Sequence, residues 1–341
     1  MPPPERRWWV RFDEEAAACP ACRSPRIRLV DVFGIPRTPE RRRLAFISGC
    51  RSCGLLFVNP LPTARQLEKY YSEQGTWAAR QSERVKEPKS APPGPRRPDR
   101  LLSALEPYMP QLTSGAGKVL DFGCGDGKFL NRMRIRGWET HGIEPSTDAA
   151  FRKHRRLTEV PQDRSFDLVV ANHVLEHLID PLDTLHRFAG ALRDEGILFL
   201  STPRLDTLPQ HRDLKYCLSG HRHVVSFTET CLRGLLARAG FRTIARIDSQ
   251  ELDDAFTAGQ PLRLRLVAVR TAHPPALPAR PLLAALRALA GYAAAEHGVA
   301  GLLRRYVPVR FRAALIEARM NEQFADKKRQ MTETVTRRAG G

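Results

Sequence analysis

From residue 100 onward, short apolar runs alternate with segments in which apolar residues recur at helical spacing. The runs KVLDF, FDLVVAN and GILFLSTP predict strands, and segments such as LDTLHRFAGALR predict helices. Strands and helices in alternation indicate an α/β domain with a doubly wound, mostly parallel sheet. Because ligands of such sheets bind at the carboxyl ends of the strands, we expect the functional residues to follow these runs.

The pattern divides the chain of 341 residues into four regions. Residues 1–62 carry paired cysteines between short apolar runs, and residues 63–99 combine a helical segment with a linker rich in proline and charge. Residues 100–273 form the α/β domain, and residues 274–341 are rich in alanine, leucine and arginine at helical spacing. We interpret this last region as helices that pack on the domain or pair two copies as a homodimer. The alternative is a peripheral contact with a membrane surface.

Four of the seven cysteines form two C-x-x-C pairs, Cys19 with Cys22 and Cys50 with Cys53. In a reducing compartment such pairs favour a zinc site over disulfides. Four thiolates fill the tetrahedral coordination of zinc and leave no open position, so the predicted ion is structural. The layout of strand-like stretches around the pairs is that of a zinc ribbon.

The stretch KVLDFGCGDGKFL ends a predicted strand in three glycines at alternate positions, Gly123, Gly125 and Gly127. A dinucleotide fingerprint, G-x-G-x-x-G, is excluded because its third glycine position is Lys128. Asp121 precedes the glycines on the strand, and Glu144 ends the next predicted strand. An acidic residue at that distance can accept the hydroxyl groups of a ribose.

These residues resemble the cofactor loop of class I S-adenosylmethionine-dependent methyltransferases. FDLVVANHVLEHL, DEGILFLSTP and GHRHVVSFTETCLRGLLARAGF are similar to the fourth strand, the fifth strand and the helix before the sixth strand of small-molecule members. CPAC and CRSCGLLFVNPLPTARQLEKYY resemble a zinc-ribbon segment found ahead of saccharide and secondary-metabolite methyltransferases. The resemblance spans most of residues 17–270 and implies a Rossmann-like, seven-stranded methyltransferase sheet.

The resemblance also implies which residues hold S-adenosyl-L-methionine. The Asp121 carboxylate is expected to meet the ammonium of the aminoacyl group, and Glu144 the ribose. The other expected contacts come from the same loop and the neighbouring strand ends: Phe122, Gly123, Cys124, Gly125, Gly127, Pro145, Asn172 and His173. Only residues 146–165 are left for the adenine side, so we expect a vestigial third strand there and either Glu159 or Asp163 as the adenine partner.

Four histidines are placed to act as a base during methyl transfer to a hydroxyl group. His173 and His177 follow the FDLVVAN strand, and His221 and His223 lie in the loop after GILFLSTP. His173 and His177 would share one face if their segment were helical. We rank His177 and His223 slightly ahead, and hydrogen bonding of each histidine to backbone is the alternative.

The formal net charge of +18 favours an acidic or phosphorylated partner. A basic cleft for an acidic small molecule or saccharide is the first interpretation, and nucleic acid is the second. The sequence offers neither a signal peptide nor an uncharged apolar run of membrane-spanning length, so we expect a cytoplasmic protein.

Three functions are compatible with these patterns. The first is O-methylation of a sugar, a saccharide intermediate or a secondary metabolite. The second is methylation of ribosomal or transfer RNA, suggested by the charge and by three arginines at 41–43 near the second cysteine pair. The third is a methyltransferase fold that has lost turnover and serves as a scaffold.

Overall fold

A computed structural model describes most of the chain between residues 16 and 303. The ranges are 16–38, 41–63, 65–67, 100–115, 117–145, 154–211, 214–219, 223–248, 263–278 and 281–303. His221 and the regions predicted as the linker and the end of the tail lie outside the described residues.

The central element is a seven-stranded sheet with the order β10-β11-β8-β7-β4-β5-β6. Its strands are β4 (Lys118–Phe122), β5 (Glu139–Ile143), β6 (Arg155–Arg156), β7 (Phe166–Asn172), β8 (Leu192–Pro203), β10 (Phe241–Arg246) and β11 (Arg263–Arg270). The strands from β8 to β6 pair in parallel, and β10 and β11 form an antiparallel edge. The predicted doubly wound, mostly parallel sheet is confirmed.

Both faces of this sheet are buried, which explains why its strands are continuous apolar runs. Consecutive residues of β4 point to opposite faces of the sheet, so that Val119 and Leu120 belong to two separate hydrophobic cores. The helices are α1 (Arg100–Leu105), α2 (Gln111–Ser114), α3 (Lys128–Ile135), α4 (Pro181–Ala191), α5 (Leu208–His211), α6 (Leu214–Cys217), α7 (Glu229–Arg238) and α8 (Leu282–Leu303). Leu102 of α1 and Leu130 of α3 pack in one core, and Phe188 of α4 packs in the other.

A second, four-stranded sheet is built mainly by the N-terminal region. It contains β1 (Ile27–Thr38), β2 (Arg41–Cys50) and β3 (Leu56–Val58), and its fourth strand is β9 (Val225–Ser226) from the methyltransferase-like region. All pairs in it are antiparallel. We call residues 16–63 the cysteine lobe. The lobe therefore completes its sheet with a strand that follows His223 in the chain.

Helix α8 packs against both parts of the structure. A side chain at Gly49 of β2 would meet Leu282, and one at Gly291 of α8 would meet Pro209 of α5. Leu286 and Tyr292 of α8 also pack against the hydrophobic core that includes Leu120 of β4. Among the described residues, no helix is both long enough and apolar enough to cross a membrane.

Candidate functional site

The glycine loop joins β4 to α3 and adopts left-handed backbone at all three glycines, with φ of 78° at Gly123, 53° at Gly125 and 70° at Gly127. Residues with a β-carbon rarely adopt this conformation, so the backbone of the loop favours glycine at these three positions. A β-carbon on Gly123 would lie 2.5 Å from Cγ2 of Val174, whereas one on Gly125 would meet nothing within 4 Å. Gly123 is therefore packed, and Gly125 presents bare backbone to open space.

Two carboxylates flank this loop at the ends of adjacent parallel strands. The Gly125 amide donates to Oε2 of Glu144 across 3.0 Å. Asp121 is buried, and its burial, followed by the charges of Glu144 and Asp126, raises its pKa from 3.8 to about 7. Clustered carboxylates in a buried site create a strong preference for a cation, because a nearby positive charge lowers the free energy of the ionised form.

The loop fits the cofactor that the sequence pattern implies. Its open face at Gly125 allows close approach of a ligand to backbone, Asp121 suits an ammonium group, and Glu144 suits a pair of hydroxyl groups. Cys124 is buried, and its thiol lies where a β-carbon on Gly142 would be, so its side chain contributes packing. Phe122 also packs inward, edge to face with Phe188 at 5.2 Å between ring centroids.

Among the described residues, the region predicted to contact adenine includes the edge strand of the larger sheet. The third strand, β6, has only two residues and pairs with β5. Asp163 is exposed and accepts hydrogen bonds from Ser165, while Glu159 is exposed near Arg187 of α4. Pro145 is exposed as well, at the end of the described residues after Glu144. Neither acidic candidate for the adenine contact is enclosed.

A buried carboxylate, Glu176, lies just beyond the end of β7. Its Oε1 accepts from Nδ1 of His173 across 3.0 Å, and its Oε2 accepts from the Thr202 hydroxyl across 3.1 Å. Burial alone would raise the pKa of Glu176, but the His173 hydrogen bond and the charges of three neighbouring histidines lower it to about 2. Glu176 therefore stays ionised in the interior and orients the polar groups around it.

His177 and His223 form a pair beside this carboxylate. Their rings meet edge to face with centroids 4.8 Å apart. Because a carbonyl can only accept, Nδ1 of His223 donates to the Tyr216 carbonyl, at 2.5 Å, and the proton of neutral His223 is held on that nitrogen. Nε2 of His223 is then the basic nitrogen of the ring. We call Glu176 with His173, His177 and His223 the histidine cluster.

The histidine cluster is attached to the glycine loop through Val174. Val174 fills the space over Gly123, and its carbonyl accepts from the His177 amide across 2.9 Å. The segment is a single 3-10 turn, Leu175–His177, so His173 and His177 do not share a helical face. His173 itself has a φ of 58°, an unfavourable conformation that is typical of functional positions, and Asn172 is exposed at the strand end.

The four paired cysteines converge in the cysteine lobe. Their sulfur atoms all lie within 4.8 Å of one another, with 3.7 Å from Cys19 to Cys53 and 3.5 Å from Cys22 to Cys50. Thiolates on a tetrahedral zinc ion, at Zn–S distances of about 2.3 Å, would be separated by about 3.8 Å. The donor set and its spacing therefore fit zinc. Two matching turns build it, closed by Arg23 N to Cys19 O and by Gly54 N to Cys50 O.

Glu176, His177 and His223 also bring one ligand atom each within 4.8 Å of one another. These are ligand types that catalytic zinc accepts. However, both oxygens of Glu176 already accept hydrogen bonds from His173 and Thr202. We therefore interpret this group as a hydrogen-bonded cluster.

Sequence reasoning found the histidines but missed the residues that orient them. Glu176 is recognisable from its spacing of three residues after His173, which permits side-chain contact over one turn. Thr202 and Tyr216 come from the end of β8 and from α6 and carry no local signal. Only the fold brings them to the histidine cluster.

Comparison with known proteins supports the same assignment. Residues 93–246 match the family model described as a methyltransferase domain. The ubiquinone biosynthesis O-methyltransferase of Actinobacillus pleuropneumoniae serotype 7 is 30% identical over an alignment of 134 residues that covers 33% of this chain and 57% of that protein. The tRNA U34 carboxymethyltransferase of Tolumonas auensis is 33% identical over an alignment of 125 residues that covers 32% of this chain and 36% of that protein.

Among solved structures, the chain is similar to the 1,6-didemethyltoxoflavin-N1-methyltransferase of Burkholderia thailandensis, crystallised with S-adenosylhomocysteine. The two are 18% identical with a TM-score of 0.43, over 67% of this chain and 96% of that one. The chain therefore spans little more than half of the length of the first curated relative named above and about a third of the length of the second. The matched residues 93–246 include six of the seven strands of the larger sheet, so the likeness to a methyltransferase domain covers the region that carries the glycine loop and the histidine cluster.

Proposed function

We propose that the protein transfers a methyl group from S-adenosylmethionine to a hydroxyl group of a small molecule, such as a sugar, a saccharide intermediate or a secondary metabolite. One observation carries the proposal: the glycine loop with its two carboxylates follows β4, the His177–His223 pair lies beyond the end of the neighbouring strand β7, and the contact of Gly123 with Val174 joins them. The relatives named as O-methyltransferases of ubiquinone biosynthesis support a small acceptor.

When bound, S-adenosylmethionine supplies an electrophilic methyl group on a sulfonium. Asp121 binds the aminoacyl ammonium, and the positive charge offsets the cost of holding this carboxylate ionised in a buried site. Glu144 binds the ribose, and the bare backbone at Gly125 allows the ligand to lie close to the loop. These contacts fix the donor relative to the histidine cluster, which is the alignment that a displacement reaction needs.

The histidine pair takes the proton of the acceptor hydroxyl in this proposal. Nδ1 of His223 is committed to the Tyr216 carbonyl, so Nε2 is the atom that accepts the proton. The ionised carboxylate of Glu176 stabilises the positive charge that then develops on the rings. The net positive charge of the chain would favour acceptors that carry acidic groups.

The cysteine lobe is proposed to hold one structural zinc ion on Cys19, Cys22, Cys50 and Cys53. The sulfur separations of 3.5 and 3.7 Å support this. Four thiolates leave no position for a substrate, so the ion would stabilise a lobe too small to fold on its own core.

Two measurements test the function. Calorimetric titration with S-adenosylmethionine should show saturable binding, and absence of binding would favour the scaffold interpretation. Transfer of a radiolabelled methyl group to a panel of hydroxylated metabolites, including acidic saccharides, should then label at least one of them. Binding without transfer to any member of a broad panel would contradict a small-molecule acceptor.

An RNA acceptor is the second candidate, because one relative is named as a tRNA U34 carboxymethyltransferase and the chain carries a net charge of +18. The three arginines at 41–43 belong to β2 of the cysteine lobe. RNA binding that weakens steeply with salt would favour this candidate, because the slope counts the phosphate contacts. Salt-independent or undetectable RNA binding would exclude it.

A further inference from the structure

The cysteine lobe and the histidine cluster share a β-sheet. In the register of β3 with β9, Leu56 pairs with Ser226 and Phe57 pairs with Val225. His223 lies two residues before β9. The lobe therefore supplies the neighbouring strand for the segment that carries one of the two proposed bases.

Val224 connects the lobe to the histidine cluster through its backbone. Its carbonyl accepts from the Val58 amide of the lobe across 3.0 Å, and its amide donates to the Glu176 carbonyl across 2.8 Å. Both backbone polar groups of Val224 are thus fixed, one by the lobe and one by the turn that bears His177. Val224 and Val225 are fully buried, as are Leu56 and Phe57 opposite them, so this junction belongs to the core.

The second cysteine pair, Cys50 and Cys53, lies directly before β3 in the chain and fixes its position. Cys50 ends β2, Cys53 follows in the second turn, and the Cys50 amide donates to the Leu55 carbonyl, one residue before β3. Asn59, just after β3, is buried, donates to the Ser48 hydroxyl and accepts from the Ala16 amide. A three-residue strand held in this way depends on the turns beside it, because so short a strand has little stability of its own.

The glycine loop has no such dependence. Asp121 and Glu144 follow β4 and β5, which lie in the seven-stranded sheet, and no strand of the lobe pairs with that sheet among the described residues. Loss of order in the lobe would therefore reach the acceptor side of the site before the cofactor side.

We propose that the metal-bound cysteine lobe is a positioning element of the acceptor site, which holds His223 against His177 and Glu176 through the pairing of Leu56–Val58 with Val225–Ser226. This inference rests on the proposed function for its effect on turnover, and on the structure alone for its effect on the His223 segment. Metal occupancy of the lobe then controls methyl transfer while cofactor binding is unaffected.

The test compares the full-length zinc-loaded protein with two matched cysteine variants. Cys50→Ala removes one of the four thiols, whereas Cys231→Ala removes a buried thiol of α7 that lies outside the group of four. In Cys50→Ala we expect the Val224 amide to lose its protection from hydrogen exchange, while amides of the central strands β4 and β7 keep theirs. We expect kcat to fall by about a hundredfold, the lower range of general-base contributions, with the dissociation constant for S-adenosylmethionine unchanged. Cys231→Ala should behave like wild type in each respect.

A cross-link provides a rescue experiment. Leu56 and Ser226 are directly opposed, so Leu56→Cys with Ser226→Cys in the Cys50→Ala background allows a disulfide across β3 and β9. Oxidation should restore protection at Val224 and raise kcat, and reduction should reverse both. Unchanged Val224 protection in Cys50→Ala would overturn the proposal, as would parallel loss of cofactor binding, which would make the lobe a general stabiliser. If wild type methylates no acceptor, the proposed function fails, but the exchange and cofactor-binding data still decide whether the lobe positions His223.

Discussion

The rings of His177 and His223 meet edge to face at 4.8 Å between centroids, although the two residues are 46 positions apart in the chain (223 − 177). One follows β7 and the other precedes β9, so the pair exists only when the two sheets are in contact. A pair assembled from two sheets, beside an ionised buried carboxylate, is a costly arrangement for the fold to maintain. We interpret that cost as a sign of function.

Replacement of the paired histidines should impair turnover selectively. His177→Gln and His223→Gln each keep a side-chain hydrogen-bonding group but remove the base, so kcat should fall by about a hundredfold to ten-thousandfold. Affinity for S-adenosylmethionine, measured by calorimetry, should be unchanged. His186→Gln, an exposed histidine of α4, is the control. Full activity in both variants would remove the histidine pair from the mechanism.

The buried carboxylate should matter for stability as well as for activity. Glu176→Gln removes the charge that receives hydrogen bonds from His173 and Thr202 and leaves an amide NH₂ group facing donors. Hydrogen bonds to charged groups contribute about 1.5–3 kcal/mol, so we expect a measurable loss in the free energy of unfolding by urea. Glu159→Gln, at an exposed site, is the control and should leave stability unchanged. Equal stability of the two variants would show that Glu176 is not an anchor of the cluster.

Cofactor affinity should depend on pH through Asp121. In the free protein its pKa is raised to about 7, chiefly by burial, so the carboxyl group is largely protonated below that pH and cannot pair with an ammonium. Affinity for S-adenosylmethionine should therefore rise as the pH increases from 5.5 towards about 7 and level off above it, with proton release on binding at lower pH. The stability of the free protein has the opposite pH dependence. It falls as the pH rises from 3.8 to about 7, because ionised Asp121 is less favourable in the buried site than in the unfolded chain. Calorimetry in buffers of different ionisation enthalpy measures the released protons.

The Asp121→Asn variant separates this cause from general effects of pH. It should bind the cofactor weakly and lose the pH dependence between 5.5 and 7.5. Asp194→Asn, an exposed aspartate near the start of β8, should retain both affinity and pH dependence. A wild-type pH profile that persists in Asp121→Asn would assign the titration to another group.

Two glycines of one loop should respond differently to alanine. Gly123→Ala places a methyl group 2.5 Å from Val174, so it should lower the melting temperature and also disturb the histidine cluster attached to Val174. At Gly125 the methyl group meets no protein atom, and the cost is only the left-handed backbone, about 1 kcal/mol. Its methyl group points into the space assigned to the cofactor. Gly125→Ala should therefore lose cofactor affinity with a small change in melting temperature, and unchanged affinity would place the cofactor elsewhere.

The larger sheet and the glycine loop could be predicted from the sequence, because each depends on the residues of its own segment. Runs such as FDLVVAN are apolar throughout because both faces of the sheet are buried, and the glycines are needed by their own backbone angles. The pairing of His177 with His223 could not be predicted, since it depends on β9 pairing with β3 of the cysteine lobe and not with a strand of the larger sheet. The strand Val225–Ser226 has only two residues, too few to show the alternation of apolar and polar positions that is typical of a strand. The sequence pattern therefore predicts a loop in this region.

Metal analysis of the purified protein distinguishes two possible metal sites, the four thiols and the group of Glu176, His177 and His223. If only the four thiols hold an ion, the purified protein should contain one zinc per chain, and the cobalt-substituted protein should show the intense thiolate charge-transfer bands of a tetrahedral sulfur site. Cys19→Ala with Cys22→Ala should lose that ion, because half of the donors are removed. His177→Gln with His223→Gln should retain it, since all four thiols remain. A second equivalent of metal that disappears only in the histidine double variant would instead make Glu176, His177 and His223 a metal site, and the proton-accepting role of the pair would have to be abandoned.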